Sequence, residues 1–217
     1  MKSQQSYRKG KRFINPHAQV LRRRWYHMVL WALGYYRDPE PTDHAYVPGF
    51  VFPNEEKEPV SEAPQVQWIN HSTFLVSVEG VHWLTDPIWS DRCSPFSLMG
   101  PHRFYPAPLA LEALPALDYV FISHNHYDHL DKPTIRRLYQ LQPQISWFVP
   151  LGLKRWFAKL GMTRIYELDW WQEHACAPLP SGATVQITAL PSQHFSGRTI
   201  IDYNRIWRDF KGRVAAV

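Results

Sequence analysis

His124-Asn125-His126-Tyr127-Asp128-His129 is the stretch on which the reading of this chain turns. Just before it, residues 119–123 form a short apolar run, the pattern of a buried strand. Just after it, Pro133 stands where the first turn of a helix would tolerate it, with Asp131 as N-cap and an expected end near Leu141. A strand that runs straight into a His/Asp-rich loop and then a helix is one step of an α/β layered fold.

The loop holds four potential metal ligands within six residues: His124, His126, Asp128 and His129. Zinc takes neutral imidazole nitrogens and carboxylate oxygens at about 2.0–2.2 Å. In extended backbone, residues i and i+2 point to the same side, so His124 and His126 can grip one ion together. Asp128 and His129 follow in the turn and face elsewhere, where they can hold a second ion or orient a water. Asp128 is therefore the candidate catalytic carboxylate. Bound zinc brings the pKa of its water to about 7, which supplies a nucleophile at neutral pH. A surface loop that is His-rich by chance does not account for this clustering at a strand's C-terminal end.

Lone histidines carry less weight. His17, His27, His44, His82, His102 and His174 read as ordinary surface or core residues, and His71, in a short turn between two strands, reads as structural. His194 differs. It follows an alternating strand over 183–190, so it too stands at a strand end and is a candidate third ligand beside His124 and His126.

Further outward, 66–69 reads as a strand, and 73–78 with 81–85 as a hairpin turning at Glu79-Gly80. Residues 88–117 are Pro- and Ser-rich without periodicity, hence a long loop of the functional kind. Strands are expected over 145–149 and 164–168, and a helix over 151–160 closed by Gly161. The domain is placed at 65–217. Residues 1–64 are read as a mobile basic arm (1–24), an aromatic helix (25–36) and a Pro-rich wrapping segment (37–64).

The net charge of +5 belongs to the arm: residues 1–24 hold eight Lys/Arg and no Asp/Glu, leaving 16 basic against 19 acidic residues in the rest. A nucleic-acid-binding face on the domain is thus not indicated. No run reaches the roughly 18 apolar residues that span a bilayer, and no signal-peptide cleavage pattern follows the aromatic stretch. Residues 1–36 could still lie on an anionic membrane surface, although packing on the domain is the plainer reading. The two cysteines, Cys93 and Cys176, lack CxxC spacing and read as free thiols in a reducing compartment; a cytoplasmic location follows as the expectation.

Several separated motifs occur in a telling order: 70–75 (Asn-His-Ser-Thr-Phe-Leu), 84–92 (Leu-Thr-Asp-Pro-Ile-Trp-Ser-Asp-Arg), Ser94-Pro95, Gly100-Pro101, 123–131, Gln193-His194-Phe195-Ser196, Arg198-Thr199 and Asn204. The loop matches the HxHxDH motif of the metallo-β-lactamase superfamily. Over residues 65–207 the chain resembles its N-acyl-phosphatidylethanolamine phospholipase D group, with Asn70 standing where relatives commonly have glycine. The resemblance implies an αβ/βα four-layer sandwich with a dinuclear zinc site. It assigns His124, His126 and His194 to the first metal, Asp128 and His129 to the second, and Asp86 to steadying the ligand loop. The implied reaction is hydrolysis of a phosphodiester, with a phospholipid-like substrate that would suit the basic, aromatic N-terminal region.

The same resemblance calls for a metal-bridging Asp in a Gly-Asp-Thr/Ser-Gly-like stretch and for a final His. After His194 the sequence holds only Asp202 and Asp209, outside any such context, and no histidine. The expectation is a truncated member whose second half-sandwich is incomplete. A catalytically inactive fragment that binds metal weakly is the alternative, and a metal-dependent nuclease, disfavoured by the acidic domain, comes third.

Overall fold

The computed structural model of the 217-residue chain describes residues 7–9, 12–14, 64–95, 98, 100–176, 178, 184–191 and 194. The helix expected over 25–36, all but Pro64 of the wrapping segment, and the motif residues after His194 lie outside these. Within the basic arm, read from the sequence as mobile, β1 (Tyr7–Lys9) and β2 (Arg12–Ile14) pair antiparallel.

The domain is organised on one six-stranded sheet of β3 (Gln65–Asn70), β4 (Thr73–Val78), β5 (Val81–Thr85), β6 (Tyr119–Phe121), β7 (Ser146–Pro150) and β8 (Ile165–Leu168), in that spatial order. The first two pairings are antiparallel and the last three parallel. Glu79 (φ 50) and Gly80 (φ 77) turn the β4–β5 hairpin, as two left-handed residues must in a tight two-residue loop. Parallel neighbours need crossovers. The long loop 86–118, with a 3-10 turn at Leu111–Ala113, joins β5 to β6; α1 (Lys132–Leu141) and the short α2 (Lys154–Ala158) serve the next two.

Alternation along the central strands builds two cores. Val120, Ile122, Trp147 and Val149 pack against Ile135 and Leu138 of α1 and Phe157 of α2. Tyr119, Phe121 and Phe148 point the other way, to Val185, Ile187 and Ala189. That face is covered by a two-stranded ribbon of β9 (Glu173–Ala175) and β10 (Gln186–Thr188).

Two local expectations are corrected. The helix expected over 151–160 shrinks to Lys154–Ala158, because Gly152 (φ 94) turns the chain after β7 before helix can begin. Asp131 does occupy the N-cap position of α1, but its side chain caps no backbone N–H there. Its carboxylate instead accepts bonds from Thr134, from the Ser90 hydroxyl (2.9 Å) and from the Ser90 amide (3.1 Å), tying α1 to the loop after β5.

Candidate metal centre

The C-terminal end of β6, the end of β5, the β3–β4 turn and the segment after β10 meet at one edge of the sheet, the usual place for ligands in open α/β sheets. Backbone bonds extend the ladder into the site: the Asp86 amide donates to Phe121 O (2.8 Å) and the Ile122 amide to Phe148 O (3.0 Å). Residues 123–129 then leave the sheet. The amides of His129 and Leu130 both return to His126 O (3.2 and 2.8 Å), forming the turn that separates His124 and His126 from Asp128 and His129.

The side chains gather in two groups. In the first, His126 Nδ1 lies 2.9 Å from His124 Nε2 and 3.3 Å from His194 Nε2. In the second, Asp128 Oδ2 lies 3.0 Å from His71 Nε2 and 3.5 Å from His129 Nε2. The ligand atoms within each group all lie within 4.8 Å of one another, close enough to hold one metal ion. The rings of His124 and His129 are 4.0 Å apart, so the two groups adjoin.

Asp86 organises both groups from beneath. Its backbone takes φ 37, and its buried carboxylate accepts bonds from the Ser123 amide (2.7 Å), the Ser123 hydroxyl (2.6 Å) and His129 Nδ1 (2.9 Å). His129 therefore keeps its proton on Nδ1 and turns the Nε2 lone pair toward the second group. Ser123 Oγ also sits 2.8 Å from His124 Nδ1, so a relay from Asp86 through Ser123 leaves His124 Nε2 as the acceptor.

Electrostatics point the same way. Burial first, then the neighbouring His129, His126 and His194, pushes His124 down to about 2, so its ring is neutral and its lone pair available. For Asp128 burial pulls upward, but the hydrogen bond with His71, the nearness of the His129 ring and a backbone bond outweigh it and hold the carboxyl well below its ordinary range. Three imidazole nitrogens converging on one point share few protons among them, and a cation can accept their lone pairs together. The donor set fits a zinc-type ion.

Sequence spacing assigns His71 a structural part in a turn, yet the structure brings it into the second group, 58 positions from His129. Its positive φ of 37 was the missed feature, and nothing in Asn-His-Ser announces it. His174, also read as ordinary, packs against Tyr166 (4.4 Å) on the far face of the sheet. His82 bonds to Ser77 (2.8 Å). Both cysteines are free thiols, as expected.

Fold and site together define a metallo-hydrolase type of centre. The family model for the beta-lactamase superfamily domain matches residues 82–210, and the chain belongs to that family. It is 44% identical over 146 residues to N-acyl-phosphatidylethanolamine-hydrolyzing phospholipase D 1 of Caenorhabditis elegans, covering 64% of this chain and 40% of that protein. It is 31% identical over 170 residues to the mitochondrial N-acyl-phosphatidylethanolamine-hydrolyzing phospholipase D of Saccharomyces cerevisiae, covering 77% and 35%. The chain thus spans between 35% and 40% of the length of these relatives. Among solved structures, a metallo hydrolase from Ignicoccus hospitalis aligns over 70% of this chain and 56% of its own, at 17% identity and a TM-score of 0.48.

Proposed function

We propose that the chain is a zinc-dependent phosphodiesterase acting on a phospholipid-like substrate. The observation that carries this reading is the pair of adjoining ligand groups at one sheet edge, His124, His126 and His194 beside Asp128 and His129. Zinc bound there supplies Lewis acidity and a nucleophilic water at neutral pH. The protein's own part is to keep His124 neutral, to fix the tautomers of His124 and His129 through Asp86 and Ser123, and to hold Asp128 ionised as ligand and water-orienting carboxylate.

The surroundings favour an amphiphilic substrate with an anionic phosphate. A cavity of about 420 Å³ lined by Trp68, Ile88, Pro101, Phe104 and Tyr105 also has His71 and Asp128 in its wall, so an apolar group there would adjoin the second group. Its size and mainly apolar lining are those of small-molecule sites. Beyond Tyr127, a cleft of about 860 Å³ includes Arg92, Lys132 and Arg136, cations suited to a phosphate or acidic headgroup. The basic residues 1–24, ahead of the aromatic stretch, support contact with the anionic inner face of a membrane from the cytoplasm. Among the described residues no helix is long and apolar enough to cross one.

The test is turnover of a generic phosphodiester and of an N-acylated phosphatidylethanolamine by the purified chain, with zinc and after chelation. The reading requires turnover that chelation removes and zinc restores. Hydrolysis unaffected by chelation, or none in a zinc-loaded sample, contradicts it.

A further inference from the structure

We infer that His71 is the third protein ligand of a second metal ion, held with Asp128 and His129. This rests on the metallo-hydrolase reading, but goes beyond it, since the resemblance draws only Asp128 and His129 from this sequence for that ion.

Three observations support the assignment. First, the donor atoms converge: His71 Nε2 lies 3.0 Å from Asp128 Oδ2 and 3.3 Å from His129 Nε2. Two imidazole nitrogens and one carboxylate oxygen form a common zinc donor set. Second, the protons leave room for a cation. His129 Nδ1 bonds to Asp86, so the neutral ring turns its Nε2 lone pair toward the same point as His71 Nε2. Third, the backbone is held in a costly shape to place this ring. His71 has φ 37, a left-handed conformation that favours glycine. The turn is fixed from several sides: Trp68 Nε1 donates to His71 O (3.1 Å), Asn70 Nδ2 to Ile88 O (3.0 Å), and the Thr73 hydroxyl to Asp86 O (2.7 Å). Thr73 and Asp86 thereby join the turn to the carboxylate that orients His129. Asp128 and His71 stay partly open, at 36% and 51% side-chain exposure, which leaves coordination positions for water and substrate.

The competing role is a plain hydrogen bond, with His71 Nε2–H donating to Asp128 and positioning it. The two are separated by cobalt(II) titration of the full chain, counting metal per protein by elemental analysis and recording absorption spectra. Wild type is expected to take two ions, and His71→Ala one. His71→Gln can still bond to Asp128 but ligates poorly, so it too should hold one. His71→Cys should show a thiolate-to-cobalt charge-transfer band that wild type lacks despite Cys93 in the same cavity. Circular dichroism of each variant checks folding. Two ions in folded His71→Ala or His71→Gln, or a two-ion His71→Cys without the band, overturns the assignment alone. A wild-type chain that takes a single ion also overturns it. If wild type takes none, the metallo-hydrolase reading falls as well.

Discussion

Asp86 Oδ2 stands 2.9 Å from His129 Nδ1, and the same carboxylate takes both the amide and the hydroxyl of Ser123. One buried residue at the end of β5 thereby sets which nitrogen of His129 faces the second ligand group. Asp86→Asn keeps the shape but cannot accept all three bonds, and its amide would donate where an acceptor is needed. Zinc affinity at the second group should fall roughly 10- to 100-fold, the usual cost of losing such an outer partner. Competition titration against a chromophoric chelator measures it; unchanged affinity would show that Asp86 serves only the backbone.

The site depends on α1 staying seated on the sheet. Ile135 is fully buried within the core cluster that joins α1 to the central strands. Ile135→Ala should destabilise the fold by about 2–5 kcal/mol, through lost burial and the cavity left behind. A urea titration reads this as a lower midpoint with an unchanged slope.

Alkaline stability should respond to Tyr119, on the ribbon-covered face. Burial, and then the contact with Cys176, raises its phenol above the ordinary value of 10.0. A folded-state value raised above the unfolded one means that the folded form holds the proton more tightly. The contribution is fully present below about pH 10 and is lost as pH climbs beyond it. Thermal melts should therefore fall more steeply above that pH in wild type than in Tyr119→Phe. Parallel curves would place the alkaline sensitivity elsewhere.

If the cavity beside His71 receives the substrate's apolar group, Phe104→Ala should lower kcat/KM for long-chain phosphodiesters by about tenfold, or ~1.4 kcal/mol of lost burial. A small substrate such as a methyl phosphodiester should barely change. Equal losses on both would mean that Phe104 shapes the loop and not the specificity.

Much of this was legible in the sequence because it is local. The alternation of 73–78 and 81–85 around Glu79-Gly80 carries its own turn chemistry, and the strands form with those bounds. The ligand loop, its preceding strand and the helix after it were equally readable; His194 lies beside His124 and His126, but the strand expected over 183–190 spans only Gln186–Thr188 and ends six residues before it. What stayed hidden is nonlocal. Strand β9, Glu173-His174-Ala175, has no pattern of its own and exists through pairing with β10. The role of His71 depends on a left-handed turn and on partners 57 and 58 positions away. Asp131 looked like a helix cap, but Ser90, 41 positions earlier, draws on its carboxylate.

If the gathered histidines form a metal centre, the purified chain carries zinc that depends on them. Elemental analysis should be run on wild type, on His124→Ala, and on His82→Ala, which removes a histidine bonded to Ser77 outside both ligand groups. Bound zinc is expected in wild type and His82→Ala, with a clear loss in His124→Ala, whose first group would keep only His126 and His194. Equal zinc in wild type and His124→Ala, or none in either, would contradict the metal-centre assignment.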